Sequence, residues 1–485
     1  MTETHDAPRT GSSPTTPIVR RTAVLAIILV TYFMIILDNS IIFTGLPSIQ
    51  DTMQFSPTGL TWVQDAYTLV FGGLLLLGAR AGDIVGRRRL FIIGLVVFSV
   101  ASLLVGAAPN GGVMVAARAL QGVGAAILAP LSLSLLTATF PAGRERDRAV
   151  ALYAAVAGIG ASAGMVVGGV LADLVSWRAG FFLNLPIGAL MIVLALRYLV
   201  ELPRVRGRFD VVGALTATLG VGALIYGVIS SSEVGWAEPR TIISLAVGVL
   251  LLVALVLNER RAQQPIMPLR LFASRARSGA YAIRFLYLGA MMGFFFFTTQ
   301  FLQGVYGWTP LQAGLGFLPM TVVNFAVALS VPRLLDRLPS VVVLGSGVVT
   351  TFAGMLWLSR VGADDSFVTG VALPMALIGL GQGLAFAPLT SYALTGIAGP
   401  DAGAASGLLN TFHQLGSSLG LAVLVAVGAS AVGLTADAGA VSELAARVEA
   451  ALTGSSIMIA LALVVVLVVV LPGDLARRSA AVERP

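Results

Sequence analysis

The sequence predicts an all-α protein that crosses a membrane fourteen times. Hydrophobic residues make up 57% of its 485 residues and charged residues only 11%, and the mean hydropathy is +0.92. A soluble protein carries about 25% charged residues, so these charges are too few to cover a soluble surface of this size. The apolar residues also form long blocks, many of them near the ~20 residues that cross a ~30 Å hydrocarbon core. A soluble enzyme is therefore excluded.

Fourteen apolar segments follow a polar N-terminal tail, residues 1–22, which we expect to be disordered. The segments do not alternate with period two, and lipid offers no hydrogen-bond partners to a backbone, so each is predicted to be a helix. They run over 23–46, 59–79, 90–108, 112–138, 149–171, 179–200, 210–230, 240–258, 280–303, 311–332, 341–360, 367–392, 404–432 and 452–472. An even number of spans places both termini on one side of the membrane.

The arginines predict which side that is. All 30 basic residues are arginines, and they fall mostly in the connections on the N-terminal side of the membrane. The other side holds Arg178, Arg240, Arg360 and Arg447. Because cytoplasmic loops carry the excess of arginine and lysine, we expect a multi-pass protein of the cytoplasmic membrane with both termini in the cytoplasm. The tryptophans agree, since all fall near predicted outer ends: Trp62, Trp177, Trp236, Trp308 and Trp357.

Composition excludes several kinds of chemistry. There is no cysteine, and the histidines are His5 and His413, so neither disulfides nor a thiolate metal site can form, and we expect no metal and no cofactor. Without lysine the chain cannot complete a phosphate loop of the form GxxxxGK[ST], so it is not expected to hydrolyse ATP or to be an enzyme. The net charge of +7 lies in short loops between spans, so it indicates membrane orientation, and no nucleic-acid partner is expected.

The chain also repeats itself weakly. Arg80-Ala81-Gly82-Asp83 follows the second segment and Arg333-Leu334-Leu335-Asp336 follows the tenth, while Gly160-x-x-x-Gly164 and Gly416-x-x-x-Gly420 lie in the fifth and thirteenth. Both pairs are eight segments apart, as expected for two six-helix bundles with two helices inserted between them. The predicted units are a first bundle at 23–200, two extra helices with a cytoplasmic linker at 201–277, a second bundle at 278–472 and a cytoplasmic tail at 473–485.

Three stretches with closely spaced glycines carry a family resemblance. Residues 78–89 read GARAGDIVGRRR, residues 118–124 read RALQGVG, and the fifth segment contains Gly160-x-x-x-Gly164-Met165-x-x-Gly168-Gly169. They resemble, in that order, the helix 2–3 signature, the helix 4 motif and the helix 5 antiporter motif of the major facilitator superfamily. Two positions depart from the pattern. Met165 stands where the antiporter motif usually has proline, and Ile84 where an arginine commonly follows the aspartate.

Further motifs are similar to those of the fourteen-helix drug:proton antiporter branch of that superfamily. They are Leu37-Asp38-Asn39-Ser40 with Leu46-Pro47, Trp177-Arg178 with Asn184-Leu185-Pro186-Ile187-Gly188, and Leu302-Gln303 with Gly307-Trp308-Thr309-Pro310. The likeness runs from about residue 25 to residue 430. It implies the major facilitator fold and proton-coupled export of amphipathic drugs or natural products.

Asp38, Asp65 and Arg118 are the predicted proton-coupling residues. At 1.5 Å per residue, Asp38 lies ~26 Å beyond Arg21, and Asp65 and Arg118 each lie ~9 Å inside the outer surface, so all three share a similar depth. Intramembrane acids are paired, neutralised or functional, and a desolvated carboxyl can exchange a proton near neutral pH. Arginine stays charged and can only modulate such an acid. The alternatives are a permanent ion pair for Asp38 and a water-exposed acid for Asp65.

The resemblance also implies a gate at the cytoplasmic end of the second segment, formed by Asp83, Gly86 and Arg87. The alternative for this cluster is topological anchoring by positive charge. In the fifth segment, four glycines are expected to allow close helix packing: Gly160, Gly164, Gly168 and Gly169.

Polar and aromatic residues in the spans are candidates for the wall of a substrate cavity. Arg284 is predicted either to reach the cytoplasmic interface or to contact an electronegative substrate, and His413, ~13 Å inside its segment, either titrates or is a structural hydrogen-bonding group. Intramembrane amides can also simply join helices, and aromatic side chains can face lipid. The remaining candidates are Gln121, Phe295, Asn324, Gln382 and Asn410.

These observations together predict a proton-coupled secondary exporter of small amphipathic molecules. Its expected partners are the substrate, protons and the lipid bilayer, and a monomer is expected. Two alternatives stay open. An importer or symporter on the same scaffold would move substrate in the other direction, and a non-transporting membrane receptor would tolerate neutralisation of the buried acids.

Overall fold

The computed structural model describes residues 18–140, 144–201, 210–262, 265, 267–395, 397, 402–432 and 439–473. Sixteen α-helices account for most of them. They are α1 Ile18–Met53, α2 Trp62–Val85, α3 Arg87–Gly106, α4 Gly111–Thr139, α5 Arg144–Leu174, α6 Trp177–Phe182, α7 Asn184–Tyr198, α8 Val211–Val234, α9 Pro239–Glu259, α10 Arg275–Gly304, α11 Pro310–Gly316, α12 Leu318–Leu335, α13 Ser340–Leu358, α14 Leu373–Leu394, α15 Ala402–Val432 and α16 Ala440–Val465.

The prediction of an all-α membrane protein is confirmed. In the described ranges, 13 helices are long and apolar enough to cross a membrane. The apolar part of α5 in these ranges, Ala163–Leu174, is shorter than such a span. The predicted count of fourteen is close to this number. Each predicted segment coincides with a helix or with a pair of short helices that form one span, as α6 with α7 and α11 with α12 do.

Two of the predicted segments are interrupted, and a proline follows each break within three residues. Pro186 lies in the first turn of α7 and Pro319 in the first turn of α12. Proline has no backbone N–H and is tolerated in a first turn, whereas further inside a helix it removes a hydrogen bond and kinks or breaks the helix. The breaks fall at Leu183 and Phe317, and the first of them sets the position of Asn184 at the start of α7.

The helices form two groups joined by a helix pair. Helices α1 to α7 pack mainly on one another, as do α10 and α12 to α16. Helix α11 packs mainly on α5 of the first group, and α8 packs on α9 and also contacts α2 and α15. We call the end of the protein at which α1 begins the arginine-rich end and the opposite end the tryptophan end. The exact division of the chain into two six-helix bundles with an inserted pair stays a prediction.

Glycines allow two close helix crossings, one in each group. On α5, a Cβ added at Gly164 would lie 2.5 Å from Ser40 Cβ of α1, and one at Gly168 would lie 2.7 Å from Ile41 Cα. A Cβ added at Gly160 would lie 3.0 Å from Ile36 Cγ2, which is also on α1. These three glycines therefore let α5 pack tightly on α1.

The second crossing joins α10 and α15. Added Cβ atoms at Gly416 and Gly420 would collide with the backbone of Phe285 and of Gly289, respectively. Because Gly160 and Gly416 belong to the repeat that the sequence suggested, equivalent helices of the two groups meet through equivalent small residues.

The two groups also touch each other toward the tryptophan end. Gln303 Nε2 of α10 donates a hydrogen bond of 2.9 Å to the carbonyl oxygen of Thr44 on α1. A Cβ at Gly169 of α5 would lie 2.7 Å from the carbonyl oxygen of Pro310, and Gly314 of α11 faces the Met165 backbone in return. Gly169 thus joins the two groups, unlike the other three glycines of its motif.

Candidate transport site

The centre of the first helix group holds a buried ion pair between Asp38 and Arg118. Arg118 Nη1 on α4 donates a hydrogen bond of 2.8 Å to Asp38 Oδ2 on α1. Asp38 is 1% exposed and Arg118 is 0% exposed. The two residues, which the sequence placed at a similar depth, are therefore in direct contact.

Two amides complete the coordination of the carboxylate. Gln121 Nε2 and Asn184 Nδ2 donate hydrogen bonds of 2.8 and 2.7 Å to Asp38 Oδ1. Both amides also donate to Ser102 Oγ, at 2.8 and 3.2 Å. Asp38 is thus held by side chains from α4 and α7, with α3 behind them. Gln121 is fully buried in this network, where it joins helices, and its place on a cavity wall stays a prediction.

Arg118 is fixed by more than its partner acid. Its Nε donates a hydrogen bond of 2.9 Å to the carbonyl oxygen of Val63, Nη1 also contacts Gln121 Oε1 at 2.7 Å, and its Cζ lies 4.3 Å from the centre of the Tyr67 ring. This reach to α2 depends on Gly122, because a Cβ there would lie 2.6 Å from the Tyr67 carbonyl oxygen. The glycine that follows Arg118 and Gln121 therefore brings α4 close enough to α2.

Asp65 lies near this network without joining it. The residue is 0% exposed, and neither carboxyl oxygen has a hydrogen-bond partner in the described part of the chain. The Nε2 atom of its neighbour Gln64 instead donates a hydrogen bond of 2.7 Å to Asn39 Oδ1. The alternative of a water-exposed acid is wrong for Asp65, and the shared depth of the three charged residues does not bring Asp65 into the network.

A second charged site lies in the other helix group. Arg284 Nη2 on α10 is 3.1 Å from His413 Nδ1 on α15, and the Arg284 Cζ lies 4.6 Å from the centre of the Phe386 ring on α14. Since its guanidinium contacts two neighbouring helices, Arg284 does not extend to the membrane interface. The contact of Arg284 with an electronegative substrate stays a prediction.

The other cavity candidates are dispersed. Phe295 stacks on Phe43 with ring centres 5.5 Å apart, so it contributes to packing between the two groups. The Oε1 atom of Gln382 is buried and has no hydrogen-bond partner in the described ranges. Asn324 is half-buried on α12 and Asn410 is exposed on α15.

The predicted gate lies where α2 ends and α3 begins. Gly86 has φ +113°, which favours glycine, and Arg87 is half-buried at the first position of α3. The Asp83 side chain lies outside the described residues. The Glu201 carboxylate, which the sequence did not single out, accepts hydrogen bonds of 3.2 Å from the backbone N–H groups of Arg88 and Arg89. It thereby caps α3, and the gating role of this region stays a prediction.

Sequence reasoning missed three members of the Asp38 network. Asn184 had a signal, because it belongs to a motif that carries the family resemblance. Tyr67 and Ser102 had none, since an apolar span contains many such residues and only helix rotation determines which of them face a buried charge.

A bundle of membrane helices with charged side chains buried between them is the architecture of a membrane transporter. The chain belongs to the Major Facilitator Superfamily, whose sequence profile matches residues 28–421. The predicted family is thereby confirmed. Members of this family move small molecules across the membrane in which they are embedded.

Two relatives match nearly the whole chain. The cephamycin export protein CmcT of Amycolatopsis lactamdurans is 38% identical over 478 residues, which are 97% of this chain and 96% of that protein. The puromycin resistance protein pur8 of Streptomyces alboniger is 39% identical, over 93% of this chain and 90% of that protein. Among solved structures, a bacterial homologue of the human lysosomal transporter Spinster superposes with a TM-score of 0.63 at 15% identity, covering 95% of this chain and 97% of that one. That likeness concerns the fold alone.

Proposed function

We propose that this protein exports amphipathic drugs or natural products across the cytoplasmic membrane in exchange for protons. Relatives named for cephamycin export and for puromycin resistance support export as the direction. The observation that carries the proton coupling is the buried Asp38 carboxylate, paired with Arg118 across two helices.

The chemistry of this pair suits coupling. A buried carboxylate is stable while its counter-charge and hydrogen-bond donors stay in place, and separation of the helices removes that stabilisation. The acid can then take up a proton, whereas the guanidinium of Arg118 cannot lose one at any working pH. Movement of α4 relative to α1 therefore offers a way to link protonation of Asp38 to a change in helix packing. Asp65 is a second acid that can take up a proton in the same region.

We place the arginine-rich end of the protein in the cytoplasm, with both termini there. The two bundles at 23–200 and 278–472 rock about the sites between them, with the segment 201–277 inserted, and the region around Asp83, Gly86 and Arg87 gates the cytoplasmic side. Reporter fusions at residue 485 and in the connection 233–240 test the orientation. The first should report cytoplasm and the second the outside.

Proton movement in vesicles tests the coupling. On addition of an exported compound, proteoliposomes with the wild-type protein should move protons, and Asp38→Asn should abolish this movement because an amide cannot release the proton. Asp51→Asn is the matched control, since Asp51 is an exposed aspartate on the same helix α1. It should couple like the wild type.

Each alternative has a distinct outcome. Accumulation of substrate along the proton gradient would indicate a symporter or importer. A protein that binds the compound, moves nothing and tolerates Asp38→Asn would be a receptor. If Asp38→Asn still couples protons to substrate at wild-type stoichiometry, Asp38 is structural and the proposal of its coupling role is wrong.

A further inference from the structure

The second charged site contains a cation without a matching anion. Among the described residues Arg284 has no carboxylate within 4.0 Å, and its Nε and Nη1 atoms are buried without hydrogen-bond partners. A charge buried in this way is unfavourable unless something pairs with it. Because a guanidinium does not deprotonate, Arg284 cannot lose its positive charge, and only an anion can balance it.

The groups around this cation offer donors. If His413 Nδ1 accepts the hydrogen bond from Arg284 Nη2, the other ring nitrogen of a neutral imidazole carries the proton and becomes a donor. The unpartnered Arg284 nitrogens are donors as well. A ligand group that fits them must accept several hydrogen bonds and carry a negative charge, as a carboxylate does.

The surroundings of the cation are aromatic. The Phe386 ring lies under the guanidinium, which strengthens an arginine site without neutralising its charge. In the first helix group, Tyr32 of α1 stacks on Tyr153 of α5 with ring centres 3.9 Å apart and an angle of 14°, and α1 contacts α10, the helix that carries Arg284. A flat apolar body next to the charged group would therefore meet the Phe386 ring.

The position of the cation is well defined. Arg284 lies on α10 and His413 on α15. The close crossing of these two helices, where Gly289 faces Gly420, keeps the two side chains next to each other. Gln414, next to His413, packs on α2 of the first group, since a Cβ added at Gly72 would lie 2.5 Å from Gln414 Cβ. A ligand bound here would span the boundary between the two groups, where rocking of one group against the other changes the access to it.

We propose that Arg284, His413 and Phe386 form a subsite that binds the carboxylate of an amphipathic aromatic substrate between the two helix groups. The inference rests on the proposed function, because it takes the bound anion to be the exported compound. It adds that organic carboxylates are preferred to neutral compounds of the same shape.

A matched pair of probes tests the subsite directly. 1-Pyrenebutyrate and 1-pyrenebutyramide share ring and chain and differ in charge, and their binding to the detergent-purified full-length protein is measured by fluorescence anisotropy. The wild type should bind the carboxylate more tightly. Arg284→Gln should weaken carboxylate binding about tenfold or more, the effect of losing a charge-assisted contact, and leave amide binding within about twofold.

Two further variants make the test specific. Arg275→Gln removes the same charge from an exposed position of the same helix α10 and should bind both probes like the wild type. Arg284→Lys keeps the charge but loses the planar fork, so it should retain part of the preference. Unchanged binding of the amide shows that each variant is folded.

Three results would overturn the subsite: equal affinity of the wild type for both probes, an equal loss for both probes in Arg284→Gln, or no saturable binding of 1-pyrenebutyrate. The assay needs no proton gradient, so it separates the subsite from the proposed function. Asp38→Asn should bind the carboxylate normally. If the vesicle experiment shows no coupling while this preference persists, only the coupling mechanism fails.

Discussion

Asp38 and Arg284 are both charged residues surrounded by helices, but their environments differ in kind. Asp38 has a counter-charge in Arg118 and hydrogen bonds from two amides, all supplied by its own helix group. Arg284 has an imidazole and an aromatic ring beside it and, within the described residues, no carboxylate at bonding distance. The first site is electrostatically complete, and the second lacks an anion.

The difference separates two tasks of an exporter. A carboxylate can lose its charge by taking up a proton, so a complete acid–base site can change state without any other ligand. A guanidinium keeps its charge, so an incomplete arginine site changes state only when an anion arrives or leaves. In the proposed mechanism the exchangeable charge is Asp38 in the first helix group, and the fixed charge that lacks a paired carboxylate among the described residues is Arg284 in the second.

Removal of the acid from the complete site should have the largest effect on stability. Asp38→Ala leaves Arg118 charged, buried and without its partner, which costs about 3–5 kcal/mol. Thermal unfolding of the detergent-purified variant, followed by tryptophan fluorescence, should show a large fall in melting temperature. Asp51→Ala, at an exposed position of the same helix, is the control. An equal fall in both variants would mean that Val63 and Tyr67 suffice to hold Arg118.

A smaller loss of stability should follow when a methyl group is added where α10 and α15, the helices that carry Arg284 and His413, cross. A Cβ at Gly420 meets the Gly289 backbone, which cannot rotate away, so Gly420→Ala should lower the unfolding free energy by about 1–3 kcal/mol. Gly345→Ala is the matched control, because its nearest neighbour beyond its own helix is Val466 Cγ1 at 3.9 Å. The control should be neutral or slightly stabilising, since alanine favours helix. Equal stability of both variants would show that α10 and α15 can move apart easily.

Hydropathy and charge located the helices because both signals are local. Each apolar segment is helical in the structure, and the glycine repeat correctly indicated close crossings such as that of Gly164 with Ser40. The breaks at Leu183 and Phe317 were not predicted, because proline near the middle of an apolar segment is compatible with either a kinked or an interrupted helix.

The site was only partly predictable for a different reason. Depth along a helix follows from residue counting, and it paired Asp38 with Arg118 correctly. Rotation about the helix axis does not follow from counting, and it decides that Gln121 faces Asp38 while Asp65 does not. The inward direction of Arg284 likewise depends on where α14 places Phe386, which only tertiary packing determines.

A bridging hydroxyl gives a finer test of the complete site. Ser102 Oγ accepts hydrogen bonds from both amides that bind Asp38, so Ser102→Ala leaves one N–H of each amide without its partner. We expect a loss of about 1 kcal/mol in unfolding free energy, measured by the same thermal unfolding, and a partial loss of proton coupling in vesicles. Ser346→Ala is a suitable control, because the hydroxyl of that exposed serine donates a hydrogen bond to the Val343 carbonyl oxygen of its own helix. Unchanged stability and coupling would mean that the amides keep their positions without Ser102.

The smallest effect is expected at Arg284, and it would distinguish the two sites most clearly. Arg284→Gln removes a contact with Phe386 that contributes about 0.5–2 kcal/mol, but it also removes a buried charge that no described carboxylate pairs with, and relief of that desolvation is of similar or larger size. Glutamine can still donate to His413. The unfolding free energy should therefore stay within about 0.5 kcal/mol of the wild type or rise, in contrast to the loss at Asp38. A fall as large as that of Asp38→Ala would show that Arg284 already has its counter-charge within the protein, and the two sites would then be alike.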